Sequence, residues 1–147
     1  MIISIHHAQI TIPKDREPEA RDFYCRVLGL KEISKPETLQ GRGGFWLQVG
    51  DSQVHVGIED GVDRKLTKAH VAYEVNDLTH WRKTIIANGI EIFSGEPIPG
   101  YDRFEFRDPF GNRVEMIGAL KNQVQHLWEI SSVPTLFKQI QLVACVV

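Results

Sequence analysis

Four side chains in this sequence have the chemistry of a metal site: His7, His55, His70 and Glu115. Imidazole nitrogens and carboxylate oxygens are common protein donors for divalent transition ions. Three imidazoles and one carboxylate make a standard ligand set, able to leave positions open for a substrate. Their spacing repeats. His7 to His70, His55 to Glu115 and Gly29 to Gly89 are each separated by about 60 residues. Matched intervals at polar strand positions and at helix stops point to two copies of one structural unit.

Successive strand residues face opposite sides of a sheet, so parity sorts the candidates. In "SIHHAQITIP" His7, Gln9 and Thr11 share one face, and His6, Ala8, Ile10 and Ile12 share the other. Further along, His55 opposes Val54 and Val56, His70 opposes Ala69 and Val71, and Glu115 opposes Val114 and Met116. Each strand therefore has an apolar face to bury and a mixed face carrying one possible ligand. A merely wet sheet face would show Lys, Glu, Thr and Ser instead. His6 has the wrong parity and is expected to be structural. His80 and His126 are expected to be bystanders.

The elements that must position these residues follow from periodicity. "IHHAQITIP" alternates as a strand. "EARDFYCRVLGL" carries a helical apolar stripe through Ala20, Phe23, Tyr24, Val27 and Leu28, with Pro18 in its first turn and Gly29 at its stop. "KEIS", "GFWLQVG" and "QVHVGIE" read as strands, the last two joined by a turn at Gly50-Asp51. The plan then recurs. "KAHVAYEV" is a strand, and Asp77 caps a helix over "LTHWRKTIIAN" that Gly89 closes. "IEIF", "RFEFRD" and "NRVEMIG" complete the set, with "DPFGN" as a turn. The predicted fold is α+β: two βαβββ modules, about residues 3–62 and 65–118, in one domain over 1–118.

Composition narrows the function classes. The chain has 147 residues, 42% of them hydrophobic, enough for one domain with a real core. Its 17 basic and 19 acidic residues form no basic stretch, which argues against nucleic acid as a partner. No signal peptide is evident, and no apolar run reaches the roughly 18 residues of a membrane span, so a cytoplasmic protein is expected. Cys25 reads as a small buried hydrophobe, and Cys145 does not form a prenylation box. Residues 119–147 form an extension without an assigned role.

"DFYCRVLGL", "AHVAYEV" and "FRDPFGNRVEMI" together resemble the vicinal oxygen chelate superfamily, over about residues 3–118. That superfamily includes glyoxalase I, bleomycin resistance proteins, fosfomycin-resistance enzymes and extradiol dioxygenases. The resemblance implies that the two sheets curl into a cup around one divalent ion (Zn, Ni, Mn or Fe), held by His7, His55, His70 and Glu115. Members with three ligands would use His7, His70 and Glu115, leaving His55 as a fourth ligand or an acid/base group. The sequence departs from the fosfomycin and extradiol pattern at Glu105, where those enzymes place a tyrosine. It departs from the fosfomycin pattern again at Gln9, in place of a threonine.

The implied chemistry is Lewis-acid catalysis on a small oxygen-chelating substrate, as in an isomerase or lyase. A dioxygenase or a fosfomycin-type thiol transferase is an alternative, and a non-catalytic drug-binding protein is another. Glu115, Glu105 or Glu74 could move a proton. Gln9, Trp46, Gln48, Glu74 and Arg103 are candidates to contact substrate. Arg42 and Arg107 are further candidates for a cationic pocket, with surface roles favoured. Many small members pair their modules between chains, which implies a homodimer with sites at the interface.

Overall fold

The computed structural model describes residues 1–120. The first module runs β1 (His7–Ile12), α1 (Glu17–Arg21), β2 (Lys31–Ile33), β3 (Phe45–Val49) and β4 (Ser52–Ile58). The second runs β5 (His70–Glu74), α2 (Leu78–Ala87), β6 (Ile92–Ser94), β7 (Tyr101–Arg107) and β8 (Arg113–Ala119). This is the expected α+β plan, twice. The expectations for His126, Cys145 and the chain beyond residue 120 lie outside the described residues.

Each module makes one four-stranded mixed sheet, ordered β1-β4-β3-β2 and β5-β8-β7-β6. The first and last strands of a module lie side by side and parallel, because a helix and a hairpin separate them in the chain. Neither sheet closes into a barrel. His7 lies opposite Gln53 and Gln9 opposite His55, so His7 and His55 are diagonal neighbours on one face. His70 lies opposite Arg113 and Ala72 opposite Glu115, which gives His70 and Glu115 the same diagonal relation. The strands that carry His7 and His70 are edge strands of their sheets.

The opposite faces are apolar and form the core. Val54, Val56, Phe45, Leu47, Ala20 and Phe23 of the first module and Val114, Met116, Phe104, Phe106, Ile85 and Tyr73 of the second belong to one buried cluster. The first helix is not uniform. Its α-helical turn passes into a π-helical segment, Asp22–Val27, which ends against Gly29 at φ 69°. The widened turn leaves Phe23 and Tyr24, adjacent in sequence, both buried. Phe23 meets Phe106 of the second module edge-on at 6.2 Å, so this helix links the two units. The second helix starts as expected, with Asp77 accepting from the His80 backbone N–H at 2.9 Å. Among the described residues, no helix is long and apolar enough to cross a membrane.

Polar contacts also join the modules. Tyr24, fully buried, donates its hydroxyl to Asp108 at 2.6 Å. Asp108 further accepts from the backbone N–H groups of Phe110 and Asn112 and from the Asn112 side chain. Asn112 Nδ2 also reaches the Thr11 carbonyl at 2.9 Å, and buried Arg64 donates to the same oxygen at 2.7 Å. One expectation is corrected here. His6 precedes β1 and is exposed, so it takes no place on the buried face; its Nδ1 lies 3.0 Å from Nδ1 of His7.

Candidate metal centre

The four possible ligands fall into two pairs, one per sheet. In the first, Trp46, His55 and His7 form a continuous stack of rings. Trp46 lies 3.9 Å from His55 at an interplanar angle of 1°, and His55 lies 4.1 Å from His7 at 14°. The stack follows from register, since Trp46 is directly opposite His55 on the neighbouring strand. His55 is buried, and its Nε2 donates to Gln53 Oε1 at 3.0 Å, which leaves Nδ1 as its lone-pair nitrogen. Burial disfavours the imidazolium and pushes the His55 pKa down, with His7 and then His6 adding to the effect.

In the second pair, His70 Nε2 lies 3.1 Å from Glu115 Oε2. The other ring nitrogen, Nδ1, donates to the Lys68 carbonyl at 2.9 Å. A carbonyl only accepts, so Nδ1 carries a proton, and Nε2 lies within hydrogen-bond distance of the carboxylate. An imidazole nitrogen and a carboxylate oxygen, two common metal donors, thus lie side by side. That arrangement suits a cation, and a backbone carbonyl behind the ring is the usual support for a ligating histidine.

Around this pair runs a ladder of charge. Arg103 Nη2 donates to Glu105 Oε1, and Arg113 Nε donates to Glu105 Oε2 at 2.6 Å. Arg113 first and Arg103 second hold the Glu105 carboxyl below the usual carboxylate range, against its burial. Arg103 Nε lies 3.2 Å from Glu115 Oε1. This is ion-pair distance, yet the N–H is not aligned for a hydrogen bond, and Nε is buried without a partner.

The other candidates make contacts of their own. Gln48 donates to the Gly50 and Ser52 carbonyls and supports the β3–β4 turn. Gln9 lies over Gly57, where a Cβ would come within 2.9 Å of its Nε2. Glu74 lines an open cleft of about 720 Å³ with Val75, Asn76, Trp81 and Ala119, away from the His70–Glu115 pair. Arg107 donates to the carbonyls of Arg64, Lys65 and Gly111, and Arg42 is exposed. Among the described residues, no three His, Cys, Asp or Glu side chains converge on one point, so His7 and His55 do not meet His70 and Glu115 within one chain.

Strand parity puts Arg113 on the Glu115 face and Gln53 on the His55 face, but nothing local in the sequence marks either as a partner of these side chains. Asp108 was read only as part of a turn.

Comparison with known proteins bears on this arrangement. The model of the Glyoxalase/Bleomycin resistance protein/Dioxygenase superfamily matches residues 4–116. A glyoxalase family protein of Bacillus anthracis is 37% identical, with a TM-score of 0.76; the match covers 82% of this chain and 98% of that one. The fosfomycin resistance protein FosX of Listeria monocytogenes shares the fold at 15% identity and a TM-score of 0.64, covering 82% of this chain and 96% of its own. An integron cassette protein of V. cholerae does so at 22% identity and 0.61, covering 80% and 96%. No curated protein matches the chain.

Proposed function

The chain belongs to the glyoxalase/bleomycin resistance protein/dioxygenase superfamily, and from that membership we propose a divalent-metal-dependent, glyoxalase-like enzyme acting on a small oxygen-chelating substrate. The observation that carries the proposal is the repeated diagonal pair. His7 with His55, and His70 with Glu115, occupy the same register in two sheets. In the second pair His70 Nδ1 donates to the Lys68 carbonyl, and Nε2 and Glu115 Oε2 lie next to each other. Their 3.1 Å separation suits adjacent ligands at bonds of about 2.1 Å. FosX of Listeria monocytogenes has been solved with Mn(II) bound, which supports a divalent ion for the fold.

One chain offers two donors at each of two places. We propose that a second copy completes each site, with His7 and His55 from one protomer and His70 and Glu115 from the other. Each first strand is an edge strand, so both donor pairs lie beside an edge that a second copy could approach.

When bound, the ion would supply Lewis-acid stabilisation of negative charge developing on a substrate oxygen. The protein's own groups would do the rest. Glu115 is the carboxylate best placed to accept a proton. Glu105, gripped by two guanidinium groups, is a weak base and serves better to fix them. Trp46 offers a flat wall beside His55.

The proposal is tested by metal content after purification and after separate reconstitution with Zn(II), Ni(II), Mn(II) and Fe(II). The expected result is about one ion per chain, lost together in His70→Ala and Glu115→Ala. Less than about a tenth of an ion per chain under all conditions would leave the non-catalytic binding protein as the better reading.

A further inference from the structure

We infer that Arg103 is a positioning residue for Glu115, holding one carboxylate oxygen so that the other stays turned to the His70 side. The inference rests on the metal-dependent reading above and says which residue tunes that site. Its ground is the buried, partnerless Nε of Arg103. The side chain is 14% exposed and that of Glu115 5%, so water does little for either group. Buried N–H donors without acceptors are rare in folded proteins, and one aimed near a functional carboxylate calls for an explanation. Nε lies 3.2 Å from Glu115 Oε1, while Oε2 lies 3.1 Å from His70. The guanidinium thus lies at ion-pair distance from the oxygen that His70 does not use.

The guanidinium is built into that place from every side. Its Nη2 is bonded to Glu105, whose second oxygen is taken by Arg113. Its backbone N–H donates to Asp102 at 2.8 Å, and its carbonyl accepts from Arg82 at 3.2 Å. Gly95 makes the room: a Cβ there would lie 2.4 Å from both Nε and Nη2.

The first module supplies a control within the same chain. Glu105 faces Glu115 as Trp46 faces His55. The place of Arg103, two residues before Glu105, is therefore held by Gly44, two before Trp46. A Cβ at Gly44 would lie 2.1 Å from the Val56 carbonyl oxygen, so no side chain fits. The arginine accompanies the carboxylate and is missing beside the neutral imidazole. A planar fork suits this task, because it can meet Glu105 and Glu115 at once.

The test is calorimetric titration of the full-length protein with Zn(II), Ni(II), Mn(II) and Fe(II) in separate experiments, the last without oxygen, alongside thermal unfolding of the metal-free protein. Arg103→Ala should weaken ion binding about 10- to 100-fold. Arg103→Lys should recover part of the loss, since the charge returns without the fork. Gly95→Ala should weaken binding with the guanidinium still present, by crowding it out of place. Unchanged affinity in Arg103→Ala overturns the inference and leaves the metal reading standing. So does a loss accounted for by a smaller folded fraction of metal-free protein. If the unaltered protein binds none of the four ions, both fall.

Discussion

Glu105 stands between two arginines, and its chemistry follows from them. A carboxylate bonded to Arg113 and Arg103 is held ionised, so it gives up its charge only in more acid solution than an ordinary glutamate. Its folded pKa is lowered, so the stability it contributes is present above the unfolded value and is lost as pH falls through the folded one. Glu105→Gln should lower stability by about 1–3 kcal/mol at neutral pH, because buried donors lose an acceptor. The variant should also show a flatter decline in melting temperature below about pH 5, measured by circular dichroism. An acid limb identical to that of the unaltered protein would show that the arginines do not hold this carboxylate. At this scale the sequence was informative about faces and silent about partners. Parity placed His7, His55, His70 and Glu115 on the mixed faces. It could not say that Gln48 turns back to its hairpin, or that Arg103 lies against Gly95, because such choices depend on neighbours distant in the chain.

Among the elements, the first helix and the "DPFGN" turn form one joint. Tyr24 and Asp108 are 84 residues apart in sequence, yet they meet at 2.6 Å with both residues buried. The turn residues were legible from local chemistry, since Asp, Pro, Gly and Asn favour a tight reversal. The joint was not, because nothing local marks Asp108 as the acceptor for a buried tyrosine. The π-helical segment was hidden for a similar reason: the apolar stripe from Ala20 to Leu28 fits a regular helix as well. Burial pushes the Asp108 carboxyl up, opposed by the hydrogen bonds from Tyr24 and Asn112. Tyr24→Phe removes one of those bonds and leaves the ring in place. It should cost about 1–3 kcal/mol in urea unfolding, with the m-value unchanged. A cost near zero would mean that the hydroxyl does not tie the modules together.

For the whole molecule, the central proposal is that one chain carries two incomplete sites. The internal repeat was legible because helix stops, turns and polar strand positions recur together at one interval. Duplication accounts for the arrangement physically. Each copy presents two donors on the mixed face of its own sheet, and neither copy has four. Whether two such faces meet within a chain or between chains is a matter of how modules pack, on which periodicity is silent. A homodimer built this way has two equivalent sites, and its symmetry fixes which substitutions fall together.

The most direct measurement is therefore a mixing experiment read by bound metal. His7→Ala and Glu115→Ala are each prepared alone, then unfolded, mixed in equal amounts and refolded together. In a dimer with shared sites, each mixed dimer carries one doubly altered site and one intact site. The mixture should then regain tight metal binding at roughly a quarter of the sites of the unaltered protein, while each variant alone regains none. Mixed dimers that form and yet hold no more metal than the separate variants would contradict the shared site.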